Sequence, residues 1–183
     1  MKNLFLVLML AACPAGAETV LQLDPAQTTT EFTLHDVLHT VHGTFKLKRG
    51  SIQLDPASGR ASGEIVIDVA SGESGSAARD RRMHKDILES AKYPEAVFVP
   101  DRIDGALAPE GTSQIDAHGL FKIHGAEHEL TMHLEVQANA GQYTASAHFT
   151  IPYVKWGMKN PSNFLLKVDD HVEMTVRTVA KTR

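Results

Sequence analysis

The chain is expected to fold as a single all-β domain, an antiparallel barrel of about eight strands with one short helix packed on it. Three observations predict this. Apolar and polar residues alternate with period two through most of the sequence, the pattern of strands with one buried face. Glycine, proline, asparagine and aspartate punctuate these runs at short intervals, as turns between neighbouring antiparallel strands require. A single segment, Arg79 to Phe98, carries helical spacing instead.

The elements follow in order. An apolar patch from Glu18 ends at Asp24-Pro25, a turn dipeptide. Phe32 and Leu34 alternate with Glu31, Thr33 and His35. Val41, Gly43, Phe45 and Leu47 alternate with His42, Thr44, Lys46 and Lys48. Arg49-Gly50 reads as a hairpin turn into Ser51-Ile52-Gln53-Leu54, and Asp55 to Gly59 as a loop. Ile65, Ile67 and Val69 form the inward side of a further strand. Ser71 to Ser76 is a loop whose serines are available to cap the helix. In the helix, Met83, Ile87 and Ala91 share one face, widened by Leu88, and Pro94 stops it. Three long runs then make a meander. Its inward positions are Ile115 to Ile123, Leu130 to Ala138 and Tyr143 to Ile151, joined by turns at His124-Gly125-Ala126-Glu127 and Asn139-Ala140-Gly141. Val172, Met174 and Val176 close the chain. About eight strands suffice for a small barrel with room for side chains or one ligand.

Residues Met1 to Ala17 read as an export signal, with Lys2, an apolar run from Leu4 to Ala12, and Ala15-Gly16-Ala17 as a cleavage site. The apolar run is far short of the ~20 residues of a membrane span. Leu10-Ala11-Ala12-Cys13 also has the form of a lipoprotein box, an alternative in which Cys13 becomes a lipidated N-terminus. Both readings send the protein to the periplasm, soluble in the first case and membrane-anchored in the second. With the signal removed at Ala17, residues 18–183 hold no cysteine, so the core alone must stabilise one domain. The net charge of −4 becomes −5 once Lys2 is lost, which argues against nucleic acid as a partner.

Four groups of residues are candidates for function. The first is the barrel interior, where small residues (Gly43, Ala117, Gly119, Ala145, Ala147) face large or flexible ones. The candidate lumen and portal residues are Phe32, Leu34, Phe45, Ile65, Ile67, Phe98, Phe121, Met132, Phe149, Trp156 and Met174. The alternation is equally that of a close-packed core. The second is Pro152 to Pro161, where Trp156 is either a plug at the barrel end or, with Met158, a cover over a ligand whose head group meets Lys155 or Lys159. The third is the histidine set. His35, His39 and His42 form an H-x3-H-x2-H pattern, but their strand parities differ and metal binding needs convergence, so solvated surface histidines are the plainer reading. The fourth is Arg79, Arg81, Arg82 and Lys85, either a solvated face paired with Asp80, Asp86 and Glu89 or a contact for anionic lipid. No nucleophile elbow or phosphate-binding glycine loop is present, so no enzymatic activity is expected.

Several local motifs share an order and spacing across nearly the whole of residues 18–183. They are Leu23-Asp24-Pro25, Glu31-Phe32, Gly43-Thr44-Phe45, Arg79-Asp80, Lys92-Tyr93-Pro94 and Gly119-Leu120-Phe121-Lys122-Ile123-His124-Gly125. In this the chain resembles the YceI-like family of exported, lipocalin-like barrels. It departs where family members often carry phenylalanine in place of Leu88 and an Asp-Phe-Gly-like stretch near Trp156. The resemblance implies a carrier that holds a long-chain apolar lipid, a polyisoprenoid or fatty-acid-like molecule, in the lumen. It implies no other cofactor, a peripheral membrane contact, and a monomer or homodimer. The rival expectations are a metal- or haem-related accessory protein acting through His35, His39 and His42, and a packed stress-response barrel that binds a partner protein.

Overall fold

The computed structural model of the protein describes residues 18–183; the export-signal reading of Met1 to Ala17 and its Leu10 to Cys13 box lie outside the described residues. Nine strands form one sheet: β1 (Thr19–Leu23), β2 (Thr29–His35), β3 (Thr40–Leu54), β4 (Ala61–Glu73), β5 (Glu95–Asp104), β6 (Gly111–Ile123), β7 (Ala126–Asn139), β8 (Gln142–Ile151) and β9 (Val172–Thr182). β1 and β2 both lie between β3 and β9, so they share one lane, interrupted by a 3₁₀ turn at Pro25–Gln27. Asp24 caps that turn by accepting from the Ala26 N–H, and Pro25 occupies its first position. The nine strands thus make eight lanes, and the β3–β4 pairing closes them into an antiparallel barrel.

The meander forms as its alternation predicts. β6 and β7 pair from Gly111↔Ala138 to Ile123↔Ala126 around the two-residue turn His124-Gly125. β7 and β8 close around Ala140-Gly141, with Asn139 opposite Gln142. Both turn residues in each hairpin take positive φ (53° and 79°; 49° and 77°), the mirror-image turn whose twist suits paired strands.

Arg49-Gly50 is not a turn. β3 runs unbroken through it, and β4 pairs with both sides. The register slips between Leu47 and Arg49, leaving Lys48 and Arg49 both exposed, so the inward positions change from Val41, Phe45 and Leu47 to Gly50 and Leu54. Gly50 serves close packing here: a Cβ on it would lie 2.9 Å from Leu23 Cδ2. On the outer face Val66, opposite Arg49, is fully buried beside an ion-pair network in which Arg49 binds Glu64 (2.9 Å) and Glu95 (3.3 Å) and Lys48 binds Glu95 (2.8 Å).

The helix is shorter than its spacing suggests. Helix α1 (Ala77–Arg82) passes into a π-helical turn, Met83–Ile87. Glu89 then adopts positive φ (45°) and its carbonyl takes the Lys92 and Tyr93 N–H groups, which ends the helix before Pro94 is reached. Ala91 is therefore exposed and does not extend the Met83, Ile87 and Leu88 face. Ser76 sits at the N-cap without a side-chain hydrogen bond; Asp80 instead accepts from the Ser74 N–H and hydroxyl.

The barrel has two unlike ends. At the lower end Leu23, Leu47, Ile115, Val136, Ala138, Tyr143 and Ala180 pack into one cluster. At the upper end the helix, the His124-Gly125 hairpin, the 36–39 turn and the 152–171 loop surround a second cluster that includes Phe32, Phe98, Phe121, Met132 and Met174. Gly43 belongs to this second packing problem, because a Cβ there would lie 2.3 Å from the Phe32 ring and 2.4 Å from the Glu73 carbonyl oxygen. The ring can rotate away, but the neighbouring strand cannot. Gly43→Ala is expected to lower unfolding free energy by about 1–3 kcal/mol, measured by urea denaturation; an unchanged midpoint would show that Phe32 does not need this gap.

Candidate lipid-binding lumen

The upper half of the barrel encloses a cavity of about 220 Å³. Native interiors rarely hold voids much larger than a water molecule, so the lumen is not the close-packed core that its small-against-large alternation also allowed. Phe32, Leu34, Phe45, Ile65, Ile67, Phe98, Phe121, Met132, Phe149 and Met174 all line it, as the strand parities predict. Ala96 and Ala147 supply width among them. Gly43 and Gly72 do not widen it, because Phe32 and Phe45 fill the space over them, and the two rings meet with centroids 5.4 Å apart.

Trp156 is the exception among the candidates: it does not line the cavity. Its indole stacks flat on the His128 ring (centroids 4.3 Å apart, 4° between planes) and approaches Phe121 at 6.0 Å. The cause is a parity. His128 stands opposite Phe121 and in phase with Leu130 and Met132, so its ring points toward the barrel axis, and Trp156 closes over it from the loop. Met158 does line the cavity and is almost fully buried, while Lys155 and Lys159 are exposed and line none of it.

Sequence reasoning missed part of the wall. Met83, Ile87 and Leu88 reach the cavity from the helical segment, and Tyr153 and Pro161 from the loop. The Met83, Ile87 and Leu88 stripe was visible, but a helical stripe alone does not say what it covers. Burial pushes the Tyr153 phenol up to about 12, with the nearby Asp170 and Asp169 charges adding to the effect. It therefore stays neutral and donates to the Asp169 carbonyl at 2.7 Å, fixing the loop to the chain just before β9. Arg82 ties helix to loop by donating to the Pro161 carbonyl at 2.9 Å. Arg79 donates to the Ser74 hydroxyl and carbonyl, both at 2.7 Å. The pairing of this basic cluster with Asp80, Asp86 and Glu89 is not formed among the described residues.

The histidines divide. His35 contacts the Thr40 hydroxyl (3.0 Å), His42 the Thr33 hydroxyl (3.1 Å) and His39 the Asp36 carboxylate (3.5 Å), so the three rings take separate partners. Among the described residues no three His, Cys, Asp or Glu side chains are placed to hold a metal. His133 is exposed and pairs with Asp116 at 2.7 Å. His84, His124 and His128 are not solvated surface residues: each has a buried ring nitrogen without a hydrogen-bond partner among the described residues. His124 packs on Tyr93 (4.8 Å between centroids) with its Nε2 3.7 Å from Glu89.

Among the described residues no charged side chain lines the cavity, so it can accept apolar chain and cannot stabilise an ion. Desolvation holds the His128 ring below the ordinary histidine value of 6.5, which favours its neutral form in the folded protein. The unfolded chain takes up this proton first as pH falls, so stability is full above about pH 6.5 and declines through the window below it. Fluorescence of the only tryptophan is expected to change as pH falls below 6.5, together with a loss of stability that His128→Phe reduces. An unaltered acid profile in that variant would show that the Trp156 stack is not pH-sensitive.

The model of the YceI-like domain matches residues 21–180. Proteins of the UPF0312 group from Pseudomonas savastanoi pv. phaseolicola and Pseudomonas syringae pv. syringae are 36% identical over 86 residues; the match covers 45% of this chain and 45% of each relative's length. Among solved structures, Burkholderia cenocepacia BcnA superposes with a TM-score of 0.72 at 22% identity, over 87% of this chain and 99% of that one. A polyisoprenoid binding domain from Saccharophagus degradans, implicated in plant cell wall breakdown, superposes at 0.65 and 17% identity, over 89% and 98%. These two likenesses concern the fold. The family match runs from β1 into β9 and takes in every strand that walls the cavity, and by it the chain belongs to the YceI-like domain family.

Proposed function

We propose that the protein is an exported, non-catalytic carrier that holds a long-chain apolar lipid, a polyisoprenoid or fatty-acid-like molecule, in the upper lumen. The observation that carries this reading is an apolar cavity of about 220 Å³ with no charged side chain on its wall among the described residues. Burial of apolar chain contributes roughly 0.8 kcal/mol per CH₂, so affinity accumulates along the ligand without any ionic contact. Apolar cavities of about 150 Å³ are known to stay dry and take up apolar guests. The likeness to the polyisoprenoid binding domain of Saccharophagus degradans supports the same class of ligand. The reading of Met1 to Ala17 as an export signal supports a periplasmic carrier.

The upper rim supports uptake from a membrane. Val37, Leu38, Phe164 and Leu165 are 64–97% exposed. They lie on two tips held together by the Val37 N–H donating to the Lys167 carbonyl (3.2 Å) and the Asp169 N–H to the His35 carbonyl (3.0 Å). Leu34 lines the cavity three residues before Val37, and Pro161 three before Phe164. Exposed apolar groups concentrated at the mouth of an apolar cavity suit the interfacial zone of a bilayer.

Two measurements test the reading. Native mass spectrometry of protein purified from its periplasm is expected to show one bound species of lipid mass, and Ala147→Phe, which fills the lumen, is expected to lower that occupancy at least tenfold while circular dichroism stays the same. A wild-type protein that binds no long-chain lipid would overturn the proposal. Leu38→Asp with Phe164→Asp is expected to slow lipid pick-up from vesicles severalfold with equilibrium affinity unchanged; equal rates would place uptake elsewhere.

A further inference from the structure

The cavity has one polar irregularity. Thr30, on β2, is 3% exposed and lines the wall, and its hydroxyl has no hydrogen-bond partner among the described residues. Its neighbours show what satisfaction looks like at this depth. Thr28 donates to the Asp24 carbonyl at 2.8 Å and meets the Thr178 hydroxyl at 2.7 Å. Thr28, Thr30 and Thr178 all line the cavity. They sit at its floor, beside Leu23 and Leu47, which belong to both the cavity wall and the packed lower cluster. The register sets Thr30 between Phe45 on β3 and Val176 on β9, so both lateral neighbours are apolar.

A buried hydroxyl left unpaired is destabilising, and native proteins seldom carry one without a reason. The other polar liner at the far end, Tyr153, already donates to Asp169. Resting on the lipid-carrier reading, we propose that Thr30 is a polar anchor at the floor of the lumen for a ligand that enters oxygen-first. The ligand's inner end carries a neutral oxygen, a hydroxyl or a carbonyl, and its apolar chain runs upward past Phe32, Phe45 and Met174 toward the helix and loop. Threonine can donate to a carbonyl or accept from a hydroxyl, so both belong to the same class. A carboxylate or phosphate does not, because among the described residues no cation lines the cavity to offset its desolvation.

The test uses the mature protein and three probes of one chain length: 1-dodecanol, n-dodecane and dodecanoate, each measured by displacement of a fluorescent apolar dye. Thr30→Val keeps the side-chain shape and removes only the hydroxyl. It is expected to weaken 1-dodecanol about tenfold, the loss of one buried hydrogen bond, and to leave n-dodecane unchanged. Dodecanoate is expected to bind more weakly than dodecanol to the wild type at neutral pH. Thr30→Ser, which retains the hydroxyl, should keep the preference for dodecanol over dodecane. An equal loss for alcohol and alkane in Thr30→Val, or no loss for either, overturns the anchor while leaving the carrier intact. A wild type that takes up neither dodecanol nor dodecane overturns the carrier reading itself.

Discussion

The pairing of β3 with β4 is the constraint on which the rest of the molecule depends, because it turns an open sheet into a closed one. β3 is long enough to pair with β1, β2 and β4, and it spans the barrel from the packed end to the open one. A straight strand of that length would carry its apolar residues off the inner face as the barrel curves. The register shifts at Thr44/Lys46 and Leu47/Arg49 absorb the curvature and reset which residues point inward. Gly50 and Gly43 permit the close approaches of Leu23 and Phe32 that follow.

Closure divides the interior into two halves with opposite solutions. Below, Leu23, Leu47, Ile115, Val136 and Tyr143 meet and fill the space, which supplies the stability that no disulfide provides in residues 18–183. Above, the rings of Phe32 and Phe45 lie against the wall over glycines, while alanines at 96 and 147 leave the axis open. A cavity of about 220 Å³ forgoes contacts that a filled interior would make, so under the proposed function occupancy and stability are linked. The packed half is what allows the hollow half to exist.

At the upper end a few directional contacts tie the helix and the loop together over the second hydrophobic cluster. Arg82 binds the helix to the 152–171 loop, Tyr153 binds that loop to the start of β9, and Trp156 lies flat on His128. The π-helical turn at Met83–Ile87 and the positive φ of Glu89 direct Met83, Ile87 and Leu88 onto the cavity. Such irregular helical turns recur at functional sites, where regular hydrogen bonding gives way to placement of particular side chains.

Strand identity, the meander, the places of the two hairpin turns and the inward facing of Phe32, Phe45, Met132 and their strand neighbours were legible in the sequence, because each follows from local alternation and turn chemistry. Trp156 stands off the cavity wall for a physical reason: a loop residue has no parity, so only its stacking partner, His128, shows where it lies. Arg49-Gly50 has the composition of a turn, and only pairing on both sides shows it to be a bulge in a continuous strand. Whether small inward residues fill gaps or leave a cavity depends on which large residues stand across the lumen, and those come from strands distant in sequence. The sequence by itself determined which residues face inward; the closed sheet decided which of them meet, and so which half of the barrel is solid and which is hollow.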